Sequence, residues 1–323
     1  MSTGVILTQL GGPQSLSEVQ PFLYNFFTDL IPDNIPVPKP LVKPLAWLIS
    51  RWRAPYSREL YRSIGGGSPL RAQSEAQARA LAVELAARGR QMPVFVAMRN
   101  WSPFSRDALR AARDAAVDRL IVVPLYPQYS FSTTRSSLNE LRAAMEKLGY
   151  APRTEIVEEY CDDPSFIAAL ADVTRKYLKS FRAAPKDVHL IFSAHGLPRH
   201  YIERGDPYLD QIHRTVAAAT AKLEHPGPIY VSFQSKLGPA KWLDPATERL
   251  IERLVADGAR ALCVVPVAFV SEHVETLNEI DIQYAGIAAR TPGVEFQRVC
   301  TVKCHPRFIR CLADQVERTL RHA

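Results

Sequence analysis

The sequence repeats part of itself at a fixed offset of 142 residues. Segment 120–124 recurs as segment 262–266, with four of the five residues identical. The same offset carries segment 164–172 onto segment 306–314, where Pro, Phe, Ile, Leu, Ala and Asp recur in register. Two separate matches at one offset favour an internal duplication over chance similarity between amphipathic segments. A duplicated chain is most simply folded as two similar halves.

Short apolar runs that are rich in β-forming residues alternate with longer amphipathic segments along the 323 residues. Six such runs begin at Val5, Val94, Leu120, His189, Ile229 and Leu262. Continuous apolar strands separated by helices are typical of parallel sheets covered on both faces. The sequence therefore predicts an α/β fold with two similar, doubly wound parallel-sheet (Rossmann-like) halves. We expect these halves at residues 1–180 and 181–323, with the active cleft between them at the carboxyl ends of the strands.

The composition excludes several classes of protein. Apolar residues make up 47% of the chain and charged residues 23%, so a large core can form and intrinsic disorder is excluded. The net charge of +7 favours acidic ligands or a membrane surface, but it is too diffuse to indicate nucleic acid. We find no secretory signal and no apolar run of about 18 residues. The sequence predicts a cytoplasmic protein with peripheral contact to the inner membrane.

The first half is longer than the second between its first two strands. The runs at Val5 and Val94 start 89 residues apart, whereas those at His189 and Ile229 start 40 residues apart. The surplus of 49 falls at about residues 14–63, a segment rich in Phe, Trp, Leu and Arg. Such an insert favours a membrane-facing lip or the mouth of a site for a flat apolar acid. Helices packed on the core, with solvated arginines, are the alternative.

Two motifs follow strands of the second half. A strand runs directly into His195, and Gly196 and Pro198 then force a turn. After the strand at Leu262, a helix starting near Ser271 would place Glu275 and Glu279 on one face. An imidazole facing two carboxylates indicates a divalent metal site, or a proton acceptor with a relay behind it. A structural histidine and a solvated acidic helix start are the alternatives.

The order of several short motifs along the chain is specific. With these motifs, the chain closely resembles the ferrochelatases, which insert ferrous iron into protoporphyrin at the end of haem synthesis. The resemblance runs over almost the whole length. It is carried by Leu10-Gly11-Gly12-Pro13, Gly65-Gly66-Gly67-Ser68-Pro69-Leu70, Tyr126-Pro127-Gln128-Tyr129-Ser130, Ser193-Ala194-His195-Gly196-Leu197-Pro198, Trp242-Leu243-Asp244-Pro245 and Phe269-Val270-Ser271-Glu272-His273-Val274-Glu275.

The resemblance implies roles for individual residues. His195 is expected to be the active-site histidine and Glu275 its carboxylate partner, and both are expected to meet the ferrous ion. His273 and Glu279 would form the outer proton or metal relay. Positions lining the porphyrin cleft match Leu10, Ser68, Arg99, Tyr126, Trp242 and Phe269.

Four of the five cysteines form a further pattern. Cys263 lies in a predicted strand and is expected to be a core residue. Three others fall within twelve residues of one another, and the 142 offset places Cys161 at Lys303, among them. Four thiolates suit a [2Fe–2S] cluster, which some members of the resembled family carry, or structural zinc, with His305 as a substitute ligand. Unrelated buried thiols are the alternative reading of Cys161, Cys300, Cys304 and Cys311.

The resemblance predicts a lyase that uses protoporphyrin IX and ferrous iron, forms protohaem, and acts as a monomer or homodimer. A ferrochelatase acting on coproporphyrin and a cobalt chelatase of the same fold are alternatives within the enzyme class. A non-catalytic porphyrin or haem carrier is the alternative from another class. Such a carrier would use the aromatic and basic insert without needing His195 and Glu275.

Overall fold

Two parallel four-stranded sheets organise the computed structural model, which describes residues 2–34, 36–236, 238 and 240–321. The first sheet has the strand order β2-β1-β3-β4 and the second the order β6-β5-β7-β8. The strands are β1 Thr3–Gln9, β2 Val94–Met98, β3 Arg119–Pro124, β4 Arg153–Ile156, β5 His189–His195, β6 Ile229–Gln234, β7 Ala261–Pro266 and β8 Glu295–Arg298. The predicted α/β fold of two similar parallel-sheet halves is confirmed.

Helices connect the strands, and a short π-helical segment follows the third strand of each half. The α-helices are α1 Val19–Asn34, α2 Lys39–Ser63, α3 Leu70–Ala87, α4 Ser105–Asp114, α5 Ser136–Leu148, α6 Pro164–Leu178, α7 Arg199–Glu203, α8 Tyr208–Leu223, α9 Thr247–Ala256, α10 Ala285–Ala289 and α11 Pro306–Arg321. The π-helices are Phe131–Arg135 and Glu275–Tyr284, and they begin at positions related by almost the same offset as the repeats.

All six predicted strands are present, and two of the four edge strands, β4 and β8, were missed. Each of these two strands pairs with one neighbour only and, unlike the edge strands β2 and β6, has no fully buried residue. Because one side of such a strand faces solvent, Arg153 and Glu155 in β4 and Glu295 and Arg298 in β8 replace the apolar run that identifies a central strand.

The two halves exchange one helix each. Helix α6 follows the first sheet but packs on α8 and β7 of the second half, and α11 follows the second sheet but packs on α3 and β3 of the first. The two helices also pack on each other, and Phe166 and Phe308, which the 142 offset relates, meet with ring centroids 6.1 Å apart. One continuous core therefore fills the space between the sheets.

Helices α1 and α2 form the insert that the sequence predicts at about 14–63. Small residues on α2, including Ala46, Ser50 and Ala54, face α1 and allow the two helices to pack closely. The opposite face of α2 is apolar too, but it is exposed: its large side chains are Leu41, Trp47, Leu48, Trp52 and Tyr56. In the part of the chain that the structure describes, no helix combines the length and hydrophobicity needed to span a bilayer.

We expect Phe308→Ala to lower the free energy of unfolding by about 3–5 kcal/mol, because it removes a fully buried ring from the shared core. Phe166→Ala should have a similar effect, since the same contact is lost from the other side. Urea unfolding measures both values. Val83→Ala, at a side chain that is 71% exposed, is the control and should change stability by at most about 0.5 kcal/mol. A loss below about 1 kcal/mol for Phe308→Ala would contradict the shared core.

Candidate active site

His195 is the final residue of β5, where the sequence places it. Its Nδ1 lies 2.8 Å from Oε2 of Glu275. Gly196 follows because a side chain there would come within 2.8 Å of the Gln234 carbonyl oxygen and 3.2 Å of the Trp242 ring. The Tyr208 hydroxyl donates to the carbonyl of His195 at 3.0 Å. The imidazole is therefore fixed at the carboxyl end of the strand with one nitrogen bound to a carboxylate.

Glu275 begins the second π-helix, so the helix predicted to start near Ser271 starts four residues later and is a π-helix. A π-helix has i→i+5 hydrogen bonds and a wider turn, and it is frequently found at functional sites. Four residues complete nearly one turn of this wider helix, so Glu275 and Glu279 still face the same side. The spacing of the two carboxylates was thus correctly identified, although the helix type was not.

Ser235 joins the two carboxylates and was not identified from the sequence. Its hydroxyl lies 3.0 Å from Oε2 of Glu275 and also bonds to Glu279, while its backbone N–H donates to Glu279 at 2.8 Å. The Tyr284 hydroxyl donates at 2.7 Å to Oε1 of Glu279, the oxygen that also accepts the Ser235 N–H. Ser235 has a φ of 65°, a conformation that serine rarely adopts. This conformation aims its N–H and its hydroxyl at the two carboxylates, Glu275 and Glu279, which together form the acidic row. The only sequence signal was its place just after β6.

The charges of the pair stabilise each other. Burial alone would lower the pKa of His195, but the Glu275 carboxylate outweighs it and raises that pKa above its ordinary value. Burial would likewise raise the pKa of Glu275, yet the His195 imidazole holds it well below the usual range. Burial and the Glu275 charge raise the pKa of Glu279. The acidic row thus contains one carboxylate that stays ionised and one that takes up protons more readily.

His273 lies beside the pair, and its geometry limits what it can do. Its Nδ1 accepts the backbone N–H of Glu275 at 3.1 Å, which leaves the proton of the neutral ring on Nε2. Burial lowers the pKa of His273, so the neutral ring is favoured. The ring packs edge-on against Phe269, with centroids 4.3 Å apart, and Phe269 in turn contacts His195.

The six predicted cleft positions are all half-buried and lie in loops after strands or near them. Leu10, Arg99, Tyr126 and Phe269 follow β1, β2, β3 and β7, while Ser68 precedes α3 and Trp242 lies beside Gly196. Arg99 is held by an ion pair with Asp29 of α1 at 3.0 Å and by hydrogen bonds to the first π-helix and the start of α5. Arg99 therefore ties the insert to the first sheet.

Arg298 is a second residue that the sequence did not indicate. It donates to both carboxylate oxygens of Asp281, at 2.7 and 2.8 Å, and to Glu272 at 2.8 Å. Glu272 precedes the second π-helix and Asp281 lies within it, so one guanidinium joins the helix to the loop that leads into it. Arg298 ends the edge strand β8. Because this strand has no apolar run, neither the strand nor Arg298 was predicted from the sequence.

The four cysteines proposed as cluster ligands are dispersed. Cys161 precedes the first turn of α6, whereas the Cys300 thiol lies against Tyr177 in its last turn, about 20 Å along the helix. Cys311 contacts Asp163, and Cys304 lies near Arg79 of α3. Within the described residues, the only three metal-type ligand atoms that lie within 4.8 Å of one another belong to Glu159, Cys161 and Asp162. The thiols present do not fit a [2Fe–2S] cluster or a four-thiolate zinc site.

The fold places the chain in a structural class. It superposes on SirB from Bacillus subtilis with Fe3+ with a TM-score of 0.55 at 11% identity, covering 99% of this chain and 96% of that one. It also superposes on the sirohydrochlorin chelatase SirB from Bacillus subtilis subspecies spizizenii in complex with cobalt, with a TM-score of 0.54 at 12% identity, covering 99% and 95%. The chain has the two-domain α/β fold of the chelatases.

Sequence comparison identifies the family. The Ferrochelatase family model matches residues 2–320. The chain is 45% identical to a ferrochelatase of Gloeobacter violaceus over 97% of this chain and 96% of that one. It is 43% identical to a ferrochelatase of Picosynechococcus over 98% and 82% of the two chains. The chain belongs to the ferrochelatase family of metal-chelating enzymes.

Replacing Glu275 by glutamine should lower the pKa of His195. The substitution removes the negative charge that raises this pKa and leaves the burial that lowers it. A proton NMR titration of the His195 ring measures the change, and Glu279→Gln should produce a smaller fall because Glu279 lies farther along the row. An unchanged or higher pKa in Glu275→Gln would show that the two side chains are not paired in solution.

Proposed function

We propose that the enzyme inserts ferrous iron into protoporphyrin IX and releases protohaem. The observation that carries the proposal is the His195–Glu275 pair, with Glu279 behind it, at the strand ends of a chain in the ferrochelatase family. In this assignment residues 181–323 supply the chemistry, and residues 1–180, with the insert at about 14–63, supply porphyrin and membrane contacts.

His195 is the proton acceptor in the proposed mechanism. Metal insertion expels two pyrrole protons, and an imidazole in its neutral form suits the task of accepting them in turn. Because Nδ1 donates to Glu275, the lone pair is on Nε2, and the carboxylate increases its basicity. The ferrous ion is proposed to meet the same pair at a separate stage from proton acceptance, since the free Nε2 lone pair and a carboxylate oxygen are both good ligands for it.

Glu279 takes the proton away from the pair. It is bridged to Glu275 by Ser235, and its raised pKa suits a group that is protonated and deprotonated in turn. Tyr284 and Ser235 hold its oxygens in place. His273, whose Nδ1 is occupied, stays neutral and keeps Glu275 oriented by accepting its backbone N–H.

The half-buried cleft residues hold the macrocycle. Tyr126, Trp242 and Phe269 offer aromatic surface to the flat ring, while Leu10 and Ser68 complete the wall. A cleft that bends the ring toward the metallated geometry exposes the nitrogen lone pairs and lowers the barrier to insertion. The planar product fits such a cleft less well, which favours its release.

His195→Ala should abolish iron insertion, lowering kcat at least about 100-fold, because the proton acceptor is lost. Anaerobic conversion of protoporphyrin IX to haem, followed by the loss of porphyrin fluorescence, measures the rate. His189→Ala is the matched control, since His189 begins the strand that His195 ends and bonds only to Tyr230 among the described residues.

Parental rates in His195→Ala would overturn the proposed role of His195. A protein that binds protoporphyrin IX tightly but never metallates it would be the non-catalytic carrier. A preference for coproporphyrin over protoporphyrin IX would identify a coproporphyrin ferrochelatase. A preference for cobalt over ferrous iron would identify a cobalt chelatase.

We further propose that the exposed face of α2 rests on the cytoplasmic surface of the membrane. Its apolar stripe lies beside Arg51 and Arg53, whose guanidinium groups stack on Trp47 and Tyr56. Aromatic and basic side chains on one helix face are typical of helices that lie in the membrane interface. A membrane contact there would bring an apolar porphyrin to the insert directly.

Trp52→Glu should weaken binding to vesicles that contain anionic phospholipid by at least about fivefold. Trp52 is 76% exposed at the centre of the stripe, so a charge there opposes insertion into the interface. Co-sedimentation measures the bound fraction. Val83→Glu changes a similarly exposed apolar side chain on α3 and is the control. Equal binding by the two variants would show that the exposed face of α2 is not the membrane contact.

The enzyme is proposed to act without a [2Fe–2S] cluster, because the four thiols do not meet. Protein purified without oxygen and without porphyrin should therefore show no charge-transfer bands beyond the aromatic absorption. Iron and acid-labile sulfide should both be absent by analysis. Bands that bleach with dithionite would show that the cysteines rearrange around a cluster, and Cys161, Cys300, Cys304 and Cys311 would then be its first candidate ligands.

A further inference from the structure

The loop that carries Glu275 toward His195 is held by the other half of the molecule. Helix α3 of the first half presents Gln73 and Gln77, one turn apart, to this loop. The backbone N–H of Glu272 donates to Gln73 Oε1 at 2.8 Å. The amide of Gln77 donates to the carbonyls of Val270 and Lys303, both at 3.1 Å, and Gln77 is fully buried.

The same arrangement occurs on the opposite side of the molecule. Helix α8 of the second half presents Gln211 and Thr215, also one turn apart, to the loop that leads into the first π-helix. The backbone N–H of Tyr129 donates to Gln211 Oε1 at 2.6 Å, and Gln128 donates to Thr215 at 2.9 Å. Each half therefore holds the loop before the other half's π-helix.

The contact at Glu272 is linked to Glu275 by a tight turn. The Thr276 hydroxyl bonds to the Glu272 carboxylate at 2.6 Å and lies 3.1 Å from the backbone nitrogen of His273. Glu275 lies inside this closed turn, so its carboxylate moves with the backbone of Glu272. His195, in contrast, is fixed by β5. The carboxylate of Glu272 is also held within its own half by Arg298 and by the Thr301 N–H. The backbone of the turn, and with it the distance between the two catalytic groups, thus depends in addition on how α3 docks against the second half.

We propose that Gln73 and Gln77 are positioning residues that place the Glu275 carboxylate against the His195 imidazole across the boundary between the halves. This inference rests on the proposed function of that pair. A displacement of about 1 Å at a reacting group commonly lowers the rate by up to about 100-fold. Loss of the α3 contact therefore lowers kcat. The affinity for porphyrin is kept, because Gln73 does not hold the walls of the porphyrin cleft.

The test compares Gln73→Leu with Gln211→Leu. Both variants remove one amide oxygen that accepts a loop N–H. Their thermal unfolding temperatures are compared as well, so that a difference in rate is not attributed to a difference in stability. Gln73→Leu is expected to lower kcat for ferrous iron insertion about tenfold, with the KM for protoporphyrin IX within about twofold. Gln211→Leu acts on the loop next to Tyr126 and is expected mainly to raise that KM. Equal losses of kcat in the two variants would overturn the proposal.

Gln73→Glu provides a conservative rescue. It keeps the oxygen that accepts the Glu272 N–H, so kcat should return to within about threefold of the parent. Rates as low as those of Gln73→Leu would contradict a role for that hydrogen bond.

A double-mutant cycle separates this inference from the proposed function. If Gln73 acts through Glu275, then adding Gln73→Leu to Glu275→Gln should cause no further loss of kcat. A full tenfold further loss would show that Gln73 acts elsewhere. Parental kcat in Glu275→Gln alone would overturn the proposed function itself, whereas a low rate there with a parental rate in Gln73→Leu would overturn only the positioning role.

Discussion

The apolar layer between the two sheets is the interaction on which the rest of the structure depends. Neither sheet is covered by helices of its own half alone, because α6 and α11 each cross to the opposite sheet. Phe166 and Phe308 meet where these helices pack, and the equivalence of the two rings marks an approximate twofold axis. Burial of this layer fixes the halves relative to each other. The cleft geometry follows from it, since the strand ends that carry the site belong to both halves.

The two halves are related by approximate symmetry, but the ionisable groups of the site lie in only one of them. Strand register equates Thr8 with Ser193, because each pairs with the equivalent proline of the third strand, Pro124 or Pro266. Two residues further on, Leu10 stands where the second half has His195, and the 142 offset puts Thr133 where it has Glu275. The first half thus keeps the backbone of the site, including a π-helix, but not its ionisable groups. In the proposed function, one half supplies the chemistry and its counterpart supplies an apolar wall.

Much of the fold and part of the site could be predicted from the sequence, for physical reasons. Buried parallel strands need continuous apolar runs, so the four central strands, the two apolar edge strands β2 and β6 and the position of His195 were predictable. The charged edge strands β4 and β8 carry no such run, and Arg298 was missed with β8. A spacing of four residues suits both an α-helix and a π-helix, so Glu275 and Glu279 were paired correctly on the wrong helix type. The 142 offset relates α6 to α11, but it does not tell which sheet each helix covers, and so the exchange was not foreseen. The thiols that are close in sequence at 300–311 lie apart in space, because some belong to a loop and one belongs to a helix.

The exchanged helices have a consequence for synthesis of the chain on the ribosome. The last strand of the first sheet ends at Ile156, but α11, which covers that sheet, begins at Pro306. About 150 residues must still be translated in between, which takes on the order of 10 s or more at typical rates. During this interval the nascent first half exposes an apolar face that its own residues do not cover. The first half therefore completes its fold only after translation of the second, despite being made first.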